Sequence, residues 1–256
     1  MSTADTFSLV GVVHLLPLPA APYGSPGLDA VLARALADAE AMVQGGLQTV
    51  IVENLGDAPF RATRTDPHVA AMMAVITARV RDLGLSVGVN VLRNDARAAL
   101  GVAAATGAAF IRVNVLSGAT WTDQGLIQSE AHDLLRYRRE LGCPVKIWAD
   151  VNVKHGVPAG ERDVALLTRD LAHRGGADGL IVTGSGTGAP TDLDEVRLVR
   201  AHAGGLPVWV GSGVTPQTLP AVRAACDGAI VGTWLHRDGR LDLPVDPDRV
   251  QALVEA

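Results

Sequence analysis

The chain's ionisable and amide side chains gather where short apolar runs stop. The run "TVIV" (49–52) ends on Glu53 and Asn54, with Asp57 just beyond. A β-branched run of that kind suits a strand buried on both faces, where a carboxylate is costly unless it is paired or stands at an opening. The pattern recurs with His14 after "LVGVV", Asn90, Arg93 and Asn94 after "SVGV", and Arg112 and Asn114 within "FIRVNV". It continues with Asp150, Lys154 and His155 after "VKIWA", and with Thr183 and Ser185 after "GLIV". Glu53 and Asp150 are candidates for general base and acid on a bound sugar. Lys154 reads either as a desolvated amine, able to form a Schiff base or steady an enediolate, or as an exposed loop lysine. His14 joins them as a candidate catalytic group. Asn54, Asn90, Arg93, Arg112, Asn114, His155 and Thr183 are candidates for orienting hydroxyls or a developing oxyanion. Arg112 with Asp150 also fits a layer-filling ion pair, and Lys146 fits a buried pair deeper in its strand.

A second kind of chemistry sits near the C-terminal end. "VWVGSGVTP" (208–216) places Gly211, Ser212 and Gly213 between a buried strand and a helix start, and "AIVGTWL" (229–235) does the same with Gly232 and Thr233. Glycine lets main-chain N–H groups approach an anion, so the two turns together form a candidate phosphate cradle. Ser185, in the glycine-rich stretch 184–188, adds either a third wall or only a loop. No turn ends in the Gly-Lys-Ser/Thr of a P-loop, and no G-x-G-x-x-G follows the first strand. His14, Glu53 and Asp150 could ligate a divalent metal, but their separation has no metal-ligand spacing, so no cofactor is expected. Trp121, on the loop after strand four, carries no weight.

Positioning these groups requires eight short strands, at 9–14, 49–54, 86–91, 110–115, 145–151, 179–184, 207–213 and 228–233. Helical patterns follow at 28–45, 66–83, 94–106, 127–141, 161–174, 192–203, 215–225 and 247–256. Asp29, Asn94, Asp192 and Thr215 read as N-caps, and Gly45, Gly84, Gly107, Gly142 and Gly175 as C′ positions. Repeated βα order dictates a parallel sheet, and eight units in 256 residues favour one α/β domain (1–256), a (β/α)8 TIM barrel, over an open doubly wound sheet. Catalytic groups would then converge at the carboxyl ends of the strands, with the proline-rich segment 15–27 as a loop over that mouth.

Composition narrows the class. A hydrophobic fraction of 48% and 28 glycines describe a well-buried globular chain. A net charge of −5 offers no electrostatic footprint for nucleic acid or an anionic membrane. Cys143 and Cys226 are too few for a disulfide framework and read as buried thiols. No run reaches the length of a membrane span, and the expectation is a cytoplasmic protein without membrane insertion.

The blocks "GVVHLLPLP", "VIVENLGDAPF", "GVNVLRNDARAAL", "FIRVNVLSGATWTDQG", "KIWADVNVKH", "LIVTGSGTG", "VGSGVTP" and "IVGTWLHRDG" resemble the signature blocks of the BtpA family, which includes the SgcQ-like proteins. The resemblance spans roughly residues 8–252; Trp148 and Trp234 stand where other apolar residues are expected. It implies a TIM barrel related to the ribulose-phosphate-binding barrels. It also implies two functions: an enzyme of sugar utilisation, or a factor in photosystem I biogenesis that assembles a membrane complex without catalysis. The first agrees with the residues, as an enzyme acting on a phosphorylated sugar or a nucleotide-derived sugar phosphate by carboxylate acid/base chemistry, in a homo-oligomeric barrel; isomerase, epimerase, lyase and glycosidic cleavage all stay open.

Overall fold

The computed structural model describes residues 7–160, 163–184, 186 and 189–256. In chain order these form β1 (Ser8–His14), α1 (Leu28–Gln44), β2 (Thr49–Glu53), α2 (Pro67–Arg81), β3 (Ser86–Asn90), α3 (Ala96–Thr106) and β4 (Phe110–Val113). A hairpin of β5 (Ala119–Thr122) and β6 (Gly125–Gln128) follows, then α4 (Ala131–Leu141), β7 (Lys146–Asp150), β8 (Gly156–Pro158) and α5 (Val164–Arg169). The chain closes with β9 (Gly179–Val182), α6 (Leu193–His202), β10 (Val208–Val210), α7 (Leu219–Ala225), β11 (Gly228–Val231) and α8 (Pro247–Val254).

The strands β1, β2, β3, β4, β7, β9, β10 and β11 are parallel, and β11 pairs back onto β1 with Ser8 opposite Gly228. That pairing closes the sheet and removes the open doubly wound alternative. Helices wrap the outside because their apolar stripes meet the outward-facing strand residues. Met42, Met73, Ile76 and Leu100 are 0% exposed there, each contributing ~1.5–3 kcal/mol of burial free energy.

Inside, successive strand residues alternate between the two faces. Val10, Val12, Ile51, Ile181 and Ile230 fill the lumen around a stack of three rings. Trp148 lies between Phe110 and Trp209, with centroids 3.7 and 3.8 Å apart. Glycine makes room for them: a Cβ on Gly88 would stand 2.2 Å from the Phe110 ring, and one on Gly179 2.4 Å from Trp209. This accounts for Trp148, which the sequence marks as unusual. Two residues further along β4 and β7 the lining turns polar, at Arg112 and Asp150, so the rings form a floor below a polar mouth.

Several boundaries differ from the sequence expectation. The helix expected over 127–141 begins only at Ala131, because the preceding residues form the β5–β6 hairpin. Its turn uses Gly125 at φ 96°, and Ile127 packs against Val115 and Val153. With β8 the hairpin makes a small three-stranded sheet that carries Trp121, more than half exposed. Helix α5 is short and passes into a wider π turn at Asp170–Arg174. Asp192 caps α6 as expected, but Asp95 caps α3, because both ends of the Asn94 amide are bonded to Val115. Asp29 lies inside α1, and α7 starts at Leu219 beyond Thr215. Gly107 and Gly142 end helices in the left-handed region, whereas Gly45 and Gly175 are right-handed. Cys143 is only partly buried. Lys146 opens its strand and pairs with Asp178 at 3.5 Å while exposed, so it is not a deep ion pair.

Candidate active site

Register, rather than sequence proximity, assembles the mouth. His14 lies opposite Glu53, and Glu53 opposite Asn90, so the last residues of β1, β2 and β3 stand side by side at one level. Glu53 Oε2 accepts from Asn90 Nδ2 at 2.7 Å and lies 4.0 Å from an Arg112 nitrogen. Arg112 donates through Nε and Nη2 to the two oxygens of Asp150, each at 3.0 Å, and Asn114 Nδ2 adds a bond of 2.8 Å to the same carboxylate. Burial pulls the Arg112 pKa down, but Asp150 and Glu53 outweigh it and hold the group above the ordinary arginine value.

His14, Glu53, Arg112 and Asn114 of this group border a cavity of about 340 Å³ at the carboxyl ends of the strands. Its polar lining includes His14, Glu53, Arg93, Arg112, Asn114, Lys154 and His155, the turns add Gly211, Ser212, Gly213, Gly232 and Thr233, and apolar side chains such as Leu55, Phe60 and Leu92 complete it. Lys154 is held near a pKa of about 8, lowered by burial first and by the neighbouring Arg112 second, against the attraction of Glu53 and Asp150. The Arg93 guanidinium donates to the Lys154 carbonyl and so ties the loops after β3 and β7 together. His155 sits exposed on the rim at φ 55°. Asn114 Oδ1 is buried and meets no donor among the described residues.

The glycine turns lead into no α-helix start, contrary to the sequence expectation: α7 begins only at Leu219, and Gly232 is followed by the three-residue turn Thr233–Leu235. Gly213 has φ 68°, and a Cβ there would stand 2.5 Å from the Pro190 backbone, so no other residue fits without rearrangement. A Cβ on Gly232 would reach within 2.6 Å of the His14 ring. The amides of Gly213, Val214 and Thr233 donate to no acceptor among the described residues. Unpaired amides beside glycine are what an oxyanion requires.

Four expected site residues do not face the cavity, and each has a structural reason. Asp150 has a side chain 0% exposed, with both oxygens engaged by Arg112 and Asn114. It holds Arg112, and it is absent from the lining of the cavity that His14 and Glu53 share. Asn90 orients Glu53 from below. Asn54 is consumed by Asp57 and by the Leu92 amide. Thr183 donates to the Asn152 carbonyl. Ser185 lies outside the described residues. The segment 15–27 packs on the turn after β2, where Asp57 accepts from the Leu18 amide, and contributes nothing to the cavity wall. Among the described residues no three His, Cys, Asp or Glu side chains are grouped to hold a metal ion, and no helix is long and apolar enough to cross a membrane.

One residue of the site was missed by sequence reasoning. His236, 0% exposed, bonds the Leu243 carbonyl through Nδ1 at 2.7 Å and His14 Nδ1 through Nε2 at 3.3 Å. Its only sequence signal is a lone histidine behind an apolar turn in "TWLHRDG". Burial, then the neighbouring His236, Lys154 and Arg112, lower the pKa of His14 to about 3.

A closed eight-stranded barrel with its ionisable groups at the carboxyl mouth defines a TIM-barrel protein. Solved barrels with similar folds include an orotidine 5′-monophosphate decarboxylase of Methanocaldococcus jannaschii, at TM-score 0.59 and 13% identity over 98% of both chains. An N-(5′-phosphoribosyl)anthranilate isomerase of Pyrococcus furiosus aligns at TM-score 0.55 and 13% identity over 97% of both chains. Within that class the chain belongs to the BtpA family, whose model matches residues 6–256. It is 47% identical to the photosystem I biogenesis protein BtpA of a Synechocystis strain, over 97% of this chain and 87% of that protein. It is also 44% identical to an uncharacterised protein of Thermococcus kodakarensis, over 96% and 94% of the two chains.

Proposed function

We propose that this chain is an enzyme acting on a phosphorylated sugar or a phosphoribosyl compound. The observation that carries this reading is a single cavity walled on one part by amides beside Gly213 and Thr233 that are unpaired among the described residues, and on another by Glu53 and Lys154. The phosphate rests on Gly211, Ser212, Gly213, Gly232 and Thr233, neutralised by Lys154 and Arg93. Glu53 is the proton acceptor at the reacting carbon, set by Asn90 and with Arg112 close by to steady developing negative charge. Isomerisation, epimerisation, lyase cleavage and glycosidic cleavage all use these parts. Orotidine monophosphate and phosphoribosyl-anthranilate enzymes on the same fold are consistent with such a substrate.

The test is a phosphosugar panel read by thermal shift and by ³¹P NMR. A true ligand at a hundred times its Kd adds ~2.7 kcal/mol and raises the melting temperature. Glu53→Gln is expected to keep the shift and to lower turnover by ~10²–10⁴-fold. If no phosphorylated compound shifts the melting temperature, the reading is wrong. The named Synechocystis relative favours a second reading, a non-catalytic assembly factor for a membrane complex. That reading expects Glu53→Gln to complement as well as the wild type in a strain lacking the protein.

A further inference from the structure

The His14–His236 pair fixes more than a contact. The Leu243 carbonyl can only accept, so the proton on His236 is on Nδ1. The same carbonyl accepts from Arg34, which Asp38 grips at 2.8 Å, while Asp38 also accepts from the Val245 amide at 2.9 Å. Helix α1 therefore holds the 236–245 loop in place. His236 is wholly buried, touches no carboxylate among the described residues, and burial lowers its pKa, so the ring is neutral and its Nε2 presents a lone pair. That lone pair faces His14 Nδ1, which must donate. The second nitrogen of His14, Nε2, is then bare and looks across 3.9 Å at Glu53 Oε1. Two acceptors confront each other, and no donor among the described residues bonds them together.

We infer that His236 is a positioning residue that locks His14 in its Nδ1–H tautomer, so that His14 Nε2 and Glu53 Oε1 form a paired acceptor for adjacent hydroxyls of the substrate. A diol supplies one donor to each acceptor, which a lone phosphate or an aliphatic chain cannot do. The inference rests on the phosphorylated-substrate reading and deepens it: the anion is gripped at the glycine turns, and the polyol end is read here. Neutral His14 is thus a recognition group, and proton transfer falls to Glu53.

The experiment uses the full chain labelled with ¹⁵N-histidine, as wild type, His236→Gln and His236→Phe, together with titrations of ribose 5-phosphate and inorganic phosphate. Glutamine can donate to Leu243 and accept from His14 as the imidazole does; phenylalanine can do neither. Wild type and His236→Gln are expected to show a pyrrole-type Nδ1 and a pyridine-type Nε2 on His14, and His236→Phe a mixture of tautomers. Ribose 5-phosphate should bind about 10-fold more weakly to His236→Phe, the worth of roughly one hydrogen bond, with inorganic phosphate unchanged. A proton on His14 Nε2 in the wild type, or equal weakening of both ligands, overturns the inference. Should His236→Phe not fold, the wild-type and His236→Gln spectra still decide the tautomer. Failure of ribose 5-phosphate to bind the wild type overturns the diol assignment, the phosphorylated-substrate reading falls when the whole phosphosugar panel fails, and the spectra test His236 separately.

Discussion

Asp150 and Glu53 are both carboxylates at the ends of barrel strands, and their surroundings give them opposite uses. Asp150 is saturated by three hydrogen bonds from Arg112 and Asn114, whereas Glu53 keeps Oε1 turned to the cavity. Removing the Asp150 charge leaves Arg112 buried beside Glu53 alone, at 4.0 Å. Asp150→Asn is therefore expected to lower stability by ~3–5 kcal/mol in urea unfolding; a variant of native stability would return Asp150 to a chemical role. From the sequence, Glu53 and the two glycine turns read as mouth groups and Lys154 as either a desolvated amine or an exposed loop lysine, and the structure places all of them in the lining of one cavity. The sequence leaves Asp150, Asn90, Asn54 and Thr183 indistinguishable from them, because whether a strand-end residue meets ligand or a neighbour depends on cross-strand register. His236 was illegible for the same reason: its partner His14 is 222 positions away.

Among the elements, the barrel strands were readable from their β-branched runs, and the β5–β6 hairpin was not. Leu126 and Ile127 fall near enough to the apolar positions of α4 to extend its pattern, and only Gly125 marks the turn. The helix starts slipped by a residue or more where two polar residues compete for the cap, as Asn94 and Asp95 do. Glycine within strands is the element-scale feature with a sharp consequence. Gly88 leaves room for Phe110, which stacks on Trp148. Gly88→Val is expected to cost at least ~1–3 kcal/mol through overpacking, and the loss should shrink in a Gly88→Val/Phe110→Leu double variant. Additive losses in denaturant titrations would show that the two positions are not coupled.

For the whole molecule, the paired histidines His14 and His236 couple folding to pH. Each has a pKa lowered by burial, that of His14 from 6.5 to about 3. The unfolded chain binds protons below pH 6.5 that native His14 refuses, so its stabilising contribution is complete above pH 6.5 and declines as pH falls toward 3. Within that window each unit of pH removes about 1.4 kcal/mol for a fully shifted group. Urea midpoints measured from pH 7.5 down to pH 4 should fall less steeply in His14→Gln than in the wild type; identical slopes would place the acid sensitivity elsewhere. The ring floor of Phe110, Trp148 and Trp209 adds a constraint on traffic. With the lower end of the barrel plugged, arrival and departure share one doorway. If the chain is the enzyme proposed, a spent molecule must vacate before the next enters, and the expected outcome is product inhibition by rivalry with substrate.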